Sequence, residues 1–230
     1  MKESNGAPIK QVYLVDDHPM VRERLAMLID QQPDLQVCGE AGDAAEALLG
    51  IEALRPDIAI VDLTLKSSNG LELIKDIKAR GLGTPVLVLS MHDEALYAER
   101  VLRAGAFGYM SKQESSREVL EAIRKVIDRQ IHVSGGLANL MLKKMLGGAK
   151  SEDTPVDQLA DRELEIFQLI GQGHGTRTIA GMLGLSVKTV ESYRARIKEK
   201  LKLEDGIQLL RHAVLWVQSY EGQGLKGDDV

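Results

Sequence analysis

The 230-residue sequence predicts two structural classes in one chain, an α/β half built on a doubly wound parallel sheet and an all-α half. Two observations lead to this prediction. Up to about residue 129, short apolar runs alternate with helical patterns, as in a parallel sheet with helices on both faces. From residue 161 onward the strand pattern stops and four helical patterns follow one another.

The five predicted strands are short and rich in Val, Ile and Leu, which is the composition of strands buried on both faces. They cover residues 11–15, 35–39, 58–61, 86–89 and 107–110. The helices between and after them carry apolar residues three to four positions apart, so that these share one face. These helices are predicted at residues 19–31, 44–54, 71–79, 94–103 and 116–129. Together these elements form a first domain at 8–130.

Residues 131–156 predict a linker that carries one helix. They begin with an extended piece, a Gly-Gly turn and a helical pattern, and then become polar with Gly, Ser and Pro. The all-α domain is expected at 157–220, followed by a disordered tail at 221–230. Its four helices are predicted at residues 161–171, 176–183, 187–201 and 205–220.

Composition narrows the class of protein. The net charge of −5 argues against a uniformly basic nucleic-acid binder but allows a local basic face. The single cysteine, Cys38, cannot form an internal disulfide, as expected for a reducing compartment. The sequence contains neither a membrane-length apolar stretch nor a signal-peptide pattern at its N-terminus. We therefore expect a cytoplasmic protein without a membrane partner.

Charged and polar side chains stand where the predicted strands end. Asp16 and Asp17 follow the first strand, Asp62 the third, Ser90 the fourth and Lys112 the fifth. Because the carboxyl ends of parallel strands lie at the same edge of the sheet, these five residues are expected to meet in a crevice there. Like charges gather only when something offsets their repulsion, and a divalent cation commonly does so. Mg²⁺ suits this oxygen-rich set.

The same set suits phosphorus chemistry. A carboxylate can act as a nucleophile toward phosphorus, and Asp62 is the candidate. Lys112 can balance the charge of a transferred phosphoryl group, and Ser90 offers a hydroxyl. A single Asp after a strand is usually an ordinary loop residue, but the combination favours a site. His18 is interpreted as the residue that begins the helix at Pro19, with no catalytic role.

A second feature is a basic helix-turn-helix pattern near the C-terminus. Gly184 supplies the turn and Ser186 is a plausible N-cap for the second helix. A charge-rich helix is usually only a solvated face, but the helix-turn-helix spacing favours DNA binding. Residues 174–202 contain seven basic side chains against two acids: Arg177, Lys188, Arg194, Arg196, Lys198, Lys200 and Lys202 against Glu191 and Glu199.

Four segments, taken in order, resemble the receiver domain of response regulators. They are VDDHPMVR at 15–22, IAIVDLTLKSSNGLELI at 58–74, VLVLSM at 86–91 and AGAFGYMSK at 104–112. The resemblance implies a sheet order of 2-1-3-4-5. It also implies that Asp62 accepts a phosphoryl group from a histidine kinase. Asp16, Asp17, Asp62 and the backbone carbonyl of Thr64 would hold Mg²⁺.

The resemblance further implies that Ser90 and Lys112 contact the phosphoryl group and that Tyr109 is an aromatic switch. Tyr109 is expected at the rim of the site. Ser90 would move toward the phosphoryl group, Tyr109 would rotate into the vacated space, and the surface of the fourth helix and fifth strand would change. Lys66 stands where the family commonly has proline, so a more mobile loop is expected there.

The C-terminal half resembles the LuxR-type DNA-binding domain through LADRELEIFQLIGQG at 159–173 and TIAGMLGLSVKTVESYRARIKEKL at 178–201. The two halves together resemble a NarL/FixJ-family response regulator, which implies double-stranded DNA as a partner and a homodimer when phosphorylated. Residues 187–201 would be the recognition helix. Glu191 stands where relatives often carry Lys, and its carboxylate can accept from cytosine N4. The expected DNA-facing residues are Lys188, Thr189, Glu191, Ser192, Arg194, Ala195 and Arg196.

The expected function is that of a phosphorylation-dependent, DNA-binding transcriptional regulator rather than an enzyme. One alternative is a Mg²⁺-dependent phosphatase or phosphotransferase that uses Asp62 covalently, which leaves the C-terminal half unexplained. The other is a receiver that acts as a phosphate-independent protein-interaction module joined to DNA binding.

Overall fold

The computed structural model of the protein describes residues 8–65, 68–91, 94–145 and 155–224. The chain divides into two compact units, with the boundary between residues 149 and 150. The first is an α/β unit and the second is helical, which confirms the predicted fold class.

The first unit is built on a five-stranded parallel sheet with the order β2-β1-β3-β4-β5, as the sequence predicted. β2 runs two residues further than predicted because Glu40 and Ala41 pair with the last two residues of β1. The strands are β1 (Lys10–Val15), β2 (Leu35–Ala41), β3 (Ile58–Val61), β4 (Val86–Ser90) and β5 (Gly108–Ser111).

Five helices cover the two faces of the sheet. Local side-chain chemistry begins two of them: Asp43 caps α2, and Ser115 forms a capping box with Glu118 at the start of α5. α5 ends at Ile127, two residues before the predicted end, because Arg129 takes a left-handed φ of 62°. The helices are α1 (Pro19–Asp30), α2 (Ala44–Leu54), α3 (Gly70–Ala79), α4 (Glu94–Ala104) and α5 (Ser116–Ile127).

The loop between β3 and α3 forms a small antiparallel ribbon in which Thr64–Leu65 pairs with Ser68–Asn69. Lys66, at which a more mobile loop was expected, lies outside the described residues. At the end of the ribbon, Asn69 caps α3 by accepting a hydrogen bond from Leu71 N. The described ends of this loop are thus paired with each other, and the second of them leads directly into α3.

The segment after α5 is paired with the edge of the sheet. The backbone of His132 donates to Phe107 O and accepts from Tyr109 N, both at 2.9 Å, and forms a parallel bridge with Gly108. Ser134 N donates to Glu94 Oε1 at 2.8 Å, and α6 (Gly135–Met145) follows. The start of the linker region is therefore joined to β5 and to the first turn of α4.

In its described residues, 155–224, the second unit contains four α-helices after a short 3-10 turn at Pro155–Gln158. Their buried faces share one core. α10 continues four residues into the predicted disordered tail, because extending an anchored helix adds one hydrogen bond per residue without a new nucleation cost. Residues 225–230 lie outside the description. The helices are α7 (Asp161–Gly171), α8 (Thr176–Met182), α9 (Val187–Lys200) and α10 (Gly206–Gly224). The core includes Leu164, Phe167, Ile170, Ile179, Val190, Ile197, Leu209 and Ala213.

None of the described helices, α10 with its 19 residues included, is long and apolar enough to cross a membrane.

Helix packing in the second unit depends on a close approach of α7 and α10. A β-carbon built on Gly171 would lie 2.4 Å from Ala213 O and 2.5 Å from Val217 Cγ2. Only glycine allows the two helices to approach this closely at that point.

We expect Gly171→Ala to lower the free energy of unfolding of the second unit by about 1–3 kcal/mol, because the added methyl group overpacks the contact between α7 and α10. Denaturant unfolding followed by the fluorescence of Trp216, whose ring lies 5.5 Å from that of Phe167, measures this. The matched control is Gly181→Ala on α8, where an added β-carbon meets no heavy atom within 4 Å. The control should be neutral or stabilise by up to about 1 kcal/mol.

Candidate functional site

The carboxyl ends of β1, β3 and β5 bring the predicted charged residues together. Asp62 follows β3, and its backbone N donates to Val15 O of β1 at 2.8 Å, which places it beside Asp16. Lys112 follows β5, and its backbone N donates to Ser90 O of β4 at 2.9 Å. The parallel sheet therefore gathers at one edge residues that are up to 96 positions apart in the chain.

Lys112 bridges the two acids. Its Nζ lies 2.6 Å from Asp16 Oδ2 and 2.7 Å from Asp62 Oδ2. The two carboxylate side chains are each 5% exposed and the lysine side chain 12%, so water screens these charges little. Charge-assisted hydrogen bonds of this length hold the three side chains in one arrangement.

Burial and charge oppose each other in this cluster. Burial raises the pKa of Asp62, while the neighbouring Lys112 ammonium acts to lower it and Asp16 adds to the rise. For Lys112, burial favours the neutral amine, but the attraction of Asp62 and Asp16 outweighs it and raises its pKa. Since the lysine carries one positive charge against two carboxylates, the cluster retains an affinity for further positive charge.

Asp17 and His18 complete the acidic edge. The backbone N of His18 donates to Asp16 Oδ1 at 2.8 Å. Asp17 Oδ1 is buried and accepts no well-aligned hydrogen bond from the described residues, although His18 Nδ1 lies 2.8 Å away. One ligand atom from each of Asp16, Asp17, His18 and Asp62 falls within 4.8 Å of the others. A buried carboxylate oxygen without a hydrogen bond, next to two further carboxylates, fits a divalent cation.

The structure places the remaining predicted site residues nearby. Ser90 is fully buried at the end of β4, and Thr64 is half-buried with its N 3.4 Å from Asp62 Oδ1. Tyr109 does not lie at the rim, where the sequence placed it, but is 1% exposed. On one side of β5, Tyr109 is in register with Val88 of β4, and on the other side its backbone N donates to His132 O of the linker region.

Two further residues lie at this site although the sequence did not assign them to it. His18 begins α1 as predicted, but its ring also lies against the acids. Its place directly after two aspartates was the available signal. Gly70 starts α3 so close to β3 that an added β-carbon would lie 2.0 Å from the carbonyl oxygen of Asp62. No local pattern in the sequence distinguished this glycine from one in an ordinary turn.

In the second unit, α9 presents a polar face to solvent. Ser186 caps the helix by accepting from Thr189 N at 3.0 Å, as the sequence predicted. Arg196 stacks over the ring of Tyr193 at 5.7 Å. Of the seven expected DNA-facing residues, two are half-buried, Thr189 and Arg194. The other five are exposed: Lys188, Glu191, Ser192, Ala195 and Arg196.

Family models match both units. Residues 12–124 match the response regulator receiver domain, and residues 157–213 match the luxR family of bacterial regulatory proteins. The chain is 35% identical to the DNA-binding transcriptional activator DevR/DosR of Mycobacterium tuberculosis, over 84% of this chain and 89% of that protein. It is 32% identical to the response regulator UvrY of Escherichia coli, over 88% of this chain and 93% of that protein.

Solved structures agree with these matches. RcsB from Salmonella enterica serovar Typhimurium, bound to promoter P1flhDC with the phosphomimetic BeF3−, is similar with a TM-score of 0.58 and 26% identity, covering 89% of this chain and 98% of that one. A LuxR-family two-component response regulator from Aurantimonas sp. has a TM-score of 0.56 and 32% identity over 60% of this chain and 99% of that one.

The fold and the acidic site thus define a two-component response regulator with a DNA-binding output domain. More narrowly, the chain belongs to the NarL/FixJ-type response regulators, in which a receiver domain precedes a LuxR-type helix-turn-helix domain. The protein is therefore a DNA-binding transcriptional response regulator, as its sequence indicated.

We expect Gly70→Ala to weaken divalent-cation binding at this site by roughly tenfold or more, because the added methyl group would displace the backbone of Asp62. A tenfold loss corresponds to about 1.4 kcal/mol of binding free energy. Calorimetric titration with Mg²⁺ measures this. Gly42→Ala, in the loop after β2, is the control, because its added β-carbon meets only Arg22 Nη1, at 3.8 Å. Equal affinities of the two variants would contradict the role given to Gly70.

Proposed function

We propose that phosphorylation of Asp62 by a histidine kinase, with Mg²⁺ bound by Asp16, Asp17, Asp62 and the Thr64 carbonyl, controls DNA binding by this regulator in the cytoplasm. The contact between Lys112 Nζ and Asp62 Oδ2 carries this proposal. It places a positive charge at the atom that would receive the phosphoryl group, beside acids that suit a hard cation. A receiver-domain match over residues 12–124 supports the same assignment.

The proposed reaction moves one phosphoryl group. An oxygen of Asp62 attacks phosphorus in the kinase phosphohistidine, the P–N bond breaks, and the leaving imidazole takes up a proton. Bound Mg²⁺ supplies charge neutralisation for the phosphoryl oxygens. Lys112, freed from part of its pairing with Asp62, turns its charge to the phosphoryl group. The Ser90 hydroxyl donates to a phosphoryl oxygen.

A path toward the DNA-binding half begins at β5. Tyr109 N donates to His132 O, and Ser134 N donates to Glu94 Oε1 at the start of α4. A rearrangement of Ser90, Tyr109 and α4 would therefore act directly on the segment that leads to α6. We propose that this changes the domain arrangement, favours a homodimer, or does both, and so alters DNA affinity. Couplings of about 1–3 kcal/mol give a 5–150-fold change.

For DNA binding, we propose that α9 is the recognition helix. Its exposed face carries Glu191, Ser192 and Ala195, which suit base edges, and Lys188 and Arg196, which suit phosphates. Arg194 is half-buried, and the hydroxyl of Thr189 is hydrogen-bonded to Ser186 Oγ at 2.7 Å. Both residues would therefore contact the sugar-phosphate backbone of the DNA from the flank of the helix. The structures of RcsB on promoter DNA support this mode of binding by resemblance.

We expect Asp62→Asn to abolish phosphoryl incorporation from a small acyl-phosphate donor, because the amide oxygen is a poor nucleophile. Phosphate-affinity electrophoresis and footprinting with and without the donor measure incorporation and DNA affinity. Asp76→Asn, the same change at an exposed position on α3, should retain both responses. Stoichiometric phosphorylation of Asp62→Asn would overturn the assignment of the acceptor.

We expect Glu191→Ala to relax the preference for cytosine at one position of the binding site, at a cost of about 1–3 kcal/mol in discrimination, because the acceptor for cytosine N4 is removed. Selection of preferred sequences from a random library measures this. Glu199→Ala, an exposed acid near the end of the same helix, should leave the preference unchanged. An identical preferred sequence for wild type and Glu191→Ala would contradict this contact.

A further inference from the structure

His18 is the one member of the acidic edge to which the proposed function gives no task. Its backbone is held firmly, because N donates to Asp16 Oδ1 at 2.8 Å and O accepts from Val21 N and Arg22 N at 3.0 and 3.2 Å. Its side chain makes no capping hydrogen bond to α1 and is 63% exposed. The imidazole is therefore not needed to begin the helix.

The ring of His18 lies against the two acids that precede it. Nδ1 lies 2.8 Å from Asp17 Oδ1 and 3.2 Å from Asp16 Oδ1, with which it shares a hydrogen bond. Neighbouring ligands at about 2.1 Å from one octahedral ion are roughly 3.0 Å apart. The contact with Asp17 Oδ1 is not an aligned hydrogen bond, and that buried oxygen is left without one. A carboxylate oxygen of Asp62 also lies within 4.8 Å of this group.

The chemistry of a nitrogen ligand then bears on the choice of metal. Oxygen ligands alone suit Mg²⁺, whereas imidazole favours first-row transition metals, with affinity rising from Mn²⁺ through Co²⁺ to Ni²⁺. We propose that His18 Nδ1 is a direct ligand of the cation at this site and shifts its preference from Mg²⁺ toward Mn²⁺, Co²⁺ and Ni²⁺. This inference rests on the proposed function only in that the same acids hold the cation.

The first test is spectroscopic and uses the full chain in its metal-free form with Mn²⁺ added. Pulsed electron paramagnetic resonance detects a directly bound imidazole through its ¹⁴N coupling. We expect this coupling in the wild type and in His212→Ala, which changes an exposed histidine on α10. We expect it to be lost in His18→Ala and in His18→Asn, which keeps a polar residue at the N-cap position.

The second test measures selectivity by calorimetric titration of the same proteins with Mg²⁺, Mn²⁺ and Ni²⁺. Loss of a nitrogen ligand should weaken Ni²⁺ binding on the order of tenfold or more and leave Mg²⁺ binding within about twofold. Asp17→Asn, which removes a carboxylate oxygen, should instead weaken all three metals. Matching melting temperatures of wild type and the His18 variants would confirm that they remain folded.

The outcomes separate the two proposals. Bound Mn²⁺ without a ¹⁴N coupling, or equal metal selectivity in wild type and His18→Ala, overturns the role of His18 and leaves the phosphoryl-acceptor site intact. No uptake of any of the three metals by the wild type overturns both. If the ¹⁴N coupling depends on His18 but the wild type takes up no phosphoryl group at Asp62, the role of His18 as a metal ligand is supported and the proposed function is refuted.

Discussion

The ion pairs between one lysine and two buried carboxylates hold the functional edge of the sheet together. Lys112 lies within 2.7 Å of both Asp16 and Asp62, and the three residues follow three different strands. Removing one partner from a buried pair leaves an uncompensated charge, at a cost of about 3–5 kcal/mol. The carboxyl ends of β1, β3 and β5 are therefore coupled by charge as well as by backbone hydrogen bonds. Any added cation or anion must change this balance.

An ion pair with a buried carboxylate also stabilises the DNA-binding half. Glu163, near the start of α7, is buried, and its Oε2 accepts from Ala160 N at 2.8 Å and from Lys200 Nζ at 2.6 Å. Lys200 is the last residue of α9, so the ion pair fixes that end of the helix against α7. The close approach at Gly171 fixes α7 against α10 in turn. The exposed face of α9, proposed above to contact DNA, is thus held in a fixed position by α7 and α10, as a binding surface requires.

Within the first unit, backbone hydrogen bonds connect the strands that carry the site to the start of the linker region. Lys112 and Ser90 are joined through a backbone hydrogen bond, and Tyr109 lies three residues before Lys112 on β5. Tyr109 N in turn bonds to His132, the beginning of the linker region. The buried Tyr109 thus lies on the strand that pairs with His132. Under the proposed function, a rearrangement of Tyr109 would act on this pairing, because packed elements shift between discrete arrangements rather than deform.

Strand and helix periodicity in the sequence was sufficient for the fold class and for the meeting of Asp16, Asp62 and Lys112, because parallel strands necessarily end at one edge. The strand order followed only from the resemblance to receiver domains. Periodicity could not reveal that Tyr109 is buried, that Gly70 touches the backbone of Asp62 or that the ring of His18 lies against Asp17. These depend on distances between side chains and neighbouring elements, which local patterns do not encode. The helical residues 221–224 likewise owe their structure to α10, whose buried side chains anchor it, rather than to their own polar composition.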